Sequence, residues 1–299
     1  MALFKARWKI VTLVALLVLL GSASHYFHWH QQLWFWAKET TVEQRVREQS
    51  IWLPDYEAVI QGKELPGLEK YETSALTWNP ATQTLFSVTG KIPQLVEISP
   101  EGELLRRIEL EGFADPEGVE VIDAQRMAII DERRGEMVVF KLPIKGNVLR
   151  HAELVAVNLG IVKAGNKGFE GIAWDAVNQR MILAKERSPY GLFSLPFPDD
   201  NNFPKTLQEL PSKHLFVRDM SSLAIDPRTG HMLVLSDESR LLVELDEHGE
   251  TVSYISLVRG FNGLKKSINQ AEGVAIDEHG TIYLVSEPNL FYVFKKPKN

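Results

Sequence analysis

Cysteine is absent from all 299 residues. Disulfides, thiolate metal sites, a cysteine nucleophile and a lipidated cysteine are excluded together. The familiar catalytic signatures are missing as well: no GxSxG, no P-loop and no HExxH occurs. Ser221-Ser222 has no motif around it that marks a nucleophile. No long amphipathic helical pattern follows residue 55. Positive charge is also short. The chain carries −6 overall, and its first 30 residues hold Lys5, Arg7 and Lys9 with no acid, which leaves the remainder at −9. An acidic body of this kind disfavours nucleic acid and favours cations.

What is present begins with an apolar run, IVTLVALLVLL at 10–20, inside an uncharged stretch that continues to Trp36. Two readings fit it. Residues from about Trp8 to about Trp29 supply the roughly 20 residues that one membrane-spanning helix needs. The basic residues before them put the N-terminus in the cytoplasm, and Tyr26, Phe27, Trp29, Trp34 and Trp36 suit an interfacial aromatic belt. Alternatively, the run is a signal-peptide core with cleavage near Ser22-Ala23-Ser24. The aromatic cluster favours the retained anchor, and in both cases the acidic part is exported. His25, His28 and His30 read as polar residues of the belt rather than as a metal site. The expected organisation is therefore a cytoplasmic tip and anchor over 1–30, a polar stalk over 31–54, and a folded domain over 55–299.

That domain is repetitive. PEGVEVI at 116–122, FEGIAWD at 169–175 and AEGVAID at 271–277 are copies of one phrase, with looser copies TSALTWN at 73–79 and MSSLAID at 220–226. Aligned on the first acidic slot they start at Ser74, Glu117, Glu170, Ser221 and Glu272, with gaps of 43, 53, 51 and 51 residues. Short β-branched runs separated by turn signals at this period indicate an all-β fold, a five-bladed β-propeller. The final repeat shows three strands, and YEAVI at 56–60 can supply the fourth, joining the chain ends and removing exposed edges. Trp78 and Trp174 fall on first strands and read as core between blades.

The repeat also places acids. The first slot holds Glu117, Glu170 and Glu272; a second slot 15 to 17 residues later holds Thr89, Glu132, Glu186, Glu238 and Glu287. One slot opens a strand and the other closes its hairpin partner, so both belong at one mouth of the central channel. Asp115 and Asp219, each two residues before a first slot, can join them. Carboxylates crowded in this way raise one another's pKa or recruit a cation. With no cysteine, and no histidine in a repeat slot, Ca²⁺ fits better than zinc or copper, and Mg²⁺ comes second. Glu132, Glu186 and Glu238 are expected to pair with Arg133, Arg187 and Arg240, which follow them closely. No adjacent base recurs beside the three first-slot glutamates, so a metal role falls to them. The glycine after each is expected to let blades approach closely at the axis.

These phrases, above all LSDESR, GFEGIAWD and INQAEGVAIDEHGTIYLVSEPNLFYVF, resemble those of the SdiA-regulated family of bacterial membrane-anchored proteins, over about residues 50–296. The family looks distantly similar to NHL-repeat propellers. The resemblance implies a five-bladed propeller with an axial calcium site at Glu117, Glu170 and Glu272. Asp219 stands in for the blade whose first slot is Ser221. It implies a single-pass protein of the inner membrane with its propeller in the periplasm. Two functions follow: a calcium-binding module for an unknown ligand or protein partner, or a calcium-dependent hydrolase of a lactone, ester or phosphate ester. Surplus carboxylates without a slot histidine favour the binding module.

Overall fold

The computed structural model describes residues 2–26, 29–144, 146–160, 168–187, 190–197, 203, 206–212 and 215–297, without the side chains of 2–7, 25 and 38. His28 and Phe27 therefore lie outside the described residues, as do the side chains of Lys5, Arg7 and His25.

Among the described residues five sheets, antiparallel except for one added parallel strand, surround an axis. In each blade the strand carrying the first slot stands at one end of the strand order. These inner strands are Thr73–Asn79, Pro116–Val121, Phe169–Asp175, Ser222–Ile225 and Ala271–Ile276 for blades 1 to 5. The core is divided to match. Five apolar clusters each fill one interface between neighbouring blades, with Val119 and Phe86 between blades 1 and 2 and Phe294 and Leu242 between blades 4 and 5. Strand alternation produces this arrangement, because both faces of every interior sheet meet another sheet.

The ring closes as strand counting expects. Glu57–Glu64 pairs antiparallel with the last strand, Leu290–Lys295, and becomes the outer strand of blade 5. The long interval between blades 2 and 3 has a topological cause. The chain leaves blade 2 after Glu136–Lys141, adds Val148–Arg150 in parallel to the outer strand of blade 1, and returns to finish blade 2 with Val155–Asn158.

At the N-terminus, helix α1 (Ala2–Tyr26) exposes its apolar side chains from Ile10 to Leu20. Among the described residues no single helix is long and apolar enough to cross a membrane. The pair Trp8–Ser24 and Trp29–Ala37, bent by 69°, meets that test together. Helix α2 (Trp29–Glu39) lies against blade 4: Phe35 packs on Phe216 at 5.0 Å between centroids, and the Tyr254 hydroxyl donates to the Gln32 carbonyl at 2.9 Å. The segment read as a stalk thus touches the propeller at both its ends. Ile51 and Leu53 are fully buried, and the amides of Ile51 and Trp52 donate to the buried Glu244 carboxylate at 2.7 and 3.0 Å. His231 and Ser253 hold the same carboxylate from within blade 4.

Candidate functional site

Each first-slot glutamate sits in a β-bulge. The pairing of the inner strand with its neighbour skips a residue between Pro116 and Gly118, between Phe169 and Gly171, and between Ala271 and Gly273. The skipped residues are Glu117, Glu170 and Glu272. A bulge takes its extra residue out of the ladder and re-aims the side chain, so these three leave the blade interfaces and turn to the channel. Blade 4 has no such skip, and its inner strand begins at Ser222, one residue after the slot.

The glycine that follows each glutamate is required by space. A Cβ on Gly118 would stand 2.5 Å from the Glu170 carbonyl oxygen, and one on Gly273 would stand 2.5 Å from the Ala75 backbone. On Gly171 it would meet Ala184 at 2.9 Å and Leu223 at 3.0 Å. The blades approach backbone to side chain at the axis, which the Glu-Gly pairing permits.

Electrostatically the three glutamates form one group. Burial pushes Glu117 up to about 8, opposed by a hydrogen bond from Ser74 and reinforced by Asp115, Glu132 and Glu287. Burial also lifts Glu170 well above the carboxylate range, with Glu186, Glu272, Glu117 and Glu132 adding to it. Glu272 is raised well above that range in the same way, by burial first and then by Asp237, Glu287, Glu117 and Asp219. Acids from blades 2, 3 and 5 feel one another, although 155 residues separate the outer two. No basic side chain is among the main influences on any of them. Glu170 and Glu186, both of blade 3, bear directly on each other's protonation.

The remaining predicted acids are committed to partners in different ways. Asp219 is buried, accepts from the Ser236 hydroxyl, and receives the Glu238 amide at 3.1 Å. Glu186 and Glu238 both contact Arg187, at 2.5 and 3.1 Å, and Glu238 also pairs with Arg218 at 2.7 Å. Arginine pairing thus holds for these two, with Arg218 rather than Arg240 on Glu238. It fails for Glu132. Arg133 turns to Asp115 at 2.8 Å, and Glu132 accepts the Gly168 amide at 2.7 Å. Glu287 accepts from the Gln270 amide group at 2.8 Å. Ser221, the slot residue of blade 4, donates to the Ala271 carbonyl at 2.7 Å and so ties blade 4 to blade 5.

Among the described residues no three His, Asp or Glu side chains form a ready-made ligand group. The mouth is a set of hard oxygen donors held in a partly dry ring, with Arg187 the basic side chain that bears on it from blade 3. The donor chemistry is that of a hard divalent ion's ligands.

Sequence reasoning missed the far end of the channel, where the inner strands finish. A cavity of about 780 Å³ opens there, lined by Trp78, Glu120 and Trp174 among others, and extends outward between blades 3 and 4. Trp78 and Trp174 are half-buried; they cover apolar clusters with one face and border the cavity with the rest.

A family model described as SdiA-regulated matches residues 48–295. Among solved structures, the chain is similar to one in "Crystal structure of Nidogen/Laminin Complex", with 13% identity, a TM-score of 0.51, and coverage of 77% of this chain and 85% of that one. It is also similar to a streptogramin B lyase, with 9% identity, a TM-score of 0.45, and coverage of 81% and 97%. A luciferin-regenerating enzyme matches with 11% identity, a TM-score of 0.48, and coverage of 80% and 94%. At 13% identity the first likeness is one of fold alone.

Proposed function

The chain belongs to the SdiA-regulated family, and from that premise we propose that it is a membrane-anchored, calcium-binding propeller acting as a binding or scaffolding module at the bacterial cell envelope. One observation carries the reading. Three bulged glutamates from three blades belong to one channel mouth, none forms an ion pair with a base, only Glu170 feels the nearby Arg187, and each is lifted above the ordinary carboxylate range. A divalent cation relieves all three at once. Asp219 adds blade 4 through the lone pairs that Ser236 and Glu238 leave open. When bound, the ion supplies positive charge and open coordination positions for an anionic or carbonyl-bearing ligand.

Anchoring rests on the exposed apolar surface of α1 and on the aromatic residues after it. A reporter enzyme fused after Asn299 should be active only in a form that works in the periplasm. A mature protein beginning near His25 would replace the anchor with a cleaved signal.

The calcium reading is tested on the full chain in a non-ionic detergent. Melting in Ca²⁺ should exceed melting in chelator, and Glu170→Gln should remove most of the difference. Equal melting, with no calorimetric binding, overturns the site. Screening lactone, aryl-ester and phosphate-ester substrates separates module from enzyme: chelator-sensitive turnover that vanishes in Glu170→Gln would make the protein a hydrolase.

A further inference from the structure

The cavity at the opposite mouth breaks the repeat at one position. Three residues after each first slot stand Thr77, Glu120, Ala173, Ala224 and Ala275 in blades 1 to 5. Four are small and one is a glutamate. Thr77, Ala224 and Ala275 line the cavity with Glu120, while Ala173 is buried in the apolar cluster between blades 3 and 4. The Glu120 carboxylate receives the Thr77 hydroxyl at 2.9 Å from blade 1 and the Trp174 amide at 3.2 Å from blade 3. Burial outweighs these two neutral donors, and no ion pair is formed by Glu120 among the described residues.

The other charges of the cavity are largely answered locally. Asp175 pairs with Arg180 at 2.8 Å, and Asp226 with Arg228 at 2.8 Å, each inside its own blade. Glu278 accepts from the Trp78 indole at 2.6 Å and from Gln83 at 2.7 Å, without a base within ion-pair distance other than His279 at 4.0 Å. The balance is therefore negative, and Glu120 shares the lining with the indoles of Trp78 and Trp174.

We propose that this cavity is a second binding site, for a small organic cation with an aromatic or aliphatic body. Three features select that class. The volume lies within the roughly 300–1,000 Å³ typical of small-molecule sites. Trp78 and Trp174 border the space and offer indole surface, which attracts ammonium groups. Glu120 supplies the counter-charge at the deep end, where a low dielectric strengthens the attraction. Burial lifts Glu120 to about 8, so without a partner it keeps its proton at neutral pH, and an entering cation displaces that proton. The site does not depend on calcium at the other mouth.

The test uses the full chain in non-ionic detergent with chelator present, with phenyltrimethylammonium as the probe and benzyl alcohol as its neutral control. Phenyltrimethylammonium should bind saturably with one site per chain and quench tryptophan emission. Benzyl alcohol should bind about tenfold more weakly or less well still, since a buried cation–π contact with a counter-charge is worth roughly that factor. Calorimetry in two buffers of different ionisation enthalpy should show proton release near pH 7. Glu120→Gln should abolish the proton release and bring the two probes within a few-fold of each other. A role confined to tying blades together would alter only the melting temperature. If Glu120→Gln does not fold, Ala176→Trp takes its place: Ala176 is an exposed turn residue on the cavity wall, and the new indole should obstruct both probes without disturbing the core. Failure of phenyltrimethylammonium to saturate, or binding unchanged by whichever of these variants folds, overturns the proposal. Either result leaves the calcium reading where its own melting test puts it.

Discussion

The two mouths of the channel are built from opposite ends of the same five strands, and they handle charge in opposite ways. Where the strands begin, bulges free Glu117, Glu170 and Glu272 from the blade interfaces, and none of the three forms an ion pair with a base, although Arg187 lies near enough to bear on Glu170. Where the strands end, pairing is regular and several acids are neutralised within their own blades, as in Asp123 with Arg126 at 2.6 Å and Asp175 with Arg180 at 2.8 Å, while Glu120 and Glu278 are held by neutral donors. Regular alternation sends side chains such as Ile122, Trp174 and Ile276 to the apolar clusters. One extra residue per strand therefore converts a packing position into a channel position. The acidic mouth is a many-membered site needing a shared counter-charge; the aromatic mouth is a cavity with a single deep acid.

The largest expected effect removes both mouths together. Gly118→Ala drives a methyl group toward the Glu170 carbonyl and should cost about 3 kcal/mol, the upper part of the overpacking range. Denaturant melts measure it. A neutral result would show that the blades do not need the close approach drawn here.

Next, calcium separates the mouths. At a calcium concentration of 100 Kd, binding adds about 2.7 kcal/mol, which is roughly 5–10 °C in melting temperature for a domain of this size. Glu170→Gln should lose most of that gain. Glu120→Gln should keep it, and Glu238→Gln, already held by Arg187 and Arg218, should keep more of it than Glu170→Gln. An equal loss in all three variants would erase the distinction.

The pH dependence sharpens the same contrast. Glu117 and Glu120 are each raised from 4.5 to about 8 in the folded state. Between those values the folded chain binds more protons than the unfolded one, so stability falls as pH rises from about 4.5 to about 8. His231, raised by its contact with Glu244 despite burial, contributes stability at low pH that is lost in the same direction. In chelator the melting temperature should therefore decline across this window. Calcium should flatten the share due to the acidic mouth, and Glu120→Gln the share due to the other. A melting temperature that climbs with pH in chelator would contradict the sign.

The smallest effect is at the rim of the acidic mouth. Arg187 offsets Glu186 and Glu238, so Arg187→Gln should tighten calcium binding by about two- to fivefold, the scale of a partly exposed ion pair. Titration calorimetry resolves this, and weaker binding would place Arg187 among the ligands' supports instead.

Much of the architecture was legible in the chain. The spacing of Ser74, Glu117, Glu170, Ser221 and Glu272 counts the five blades, and YEAVI foretells the closing strand. Repetition makes this possible, because each copy reports the same local environment and the copies average out local accidents. The placing of the first-slot acids at matching points of blades 2, 3 and 5 was legible for the same reason. Their partners were not. Arg133 adjoins Glu132 in sequence yet pairs with Asp115, and Glu238 takes Arg218 from 20 residues away.

By itself, then, the sequence determined the fold class, the blade number, the ring closure and which residues open each inner strand. All of these follow from strand period and repeat length, which are local properties of the chain. Tertiary structure alone decided the bulges that aim the glutamates, the ion pairs that leave some of them unanswered, and the cavity around Glu120. Those depend on how five sheets meet at a narrow axis. There, space for a Cβ, the reach of an arginine and the dryness of a carboxylate are set by residues from other blades.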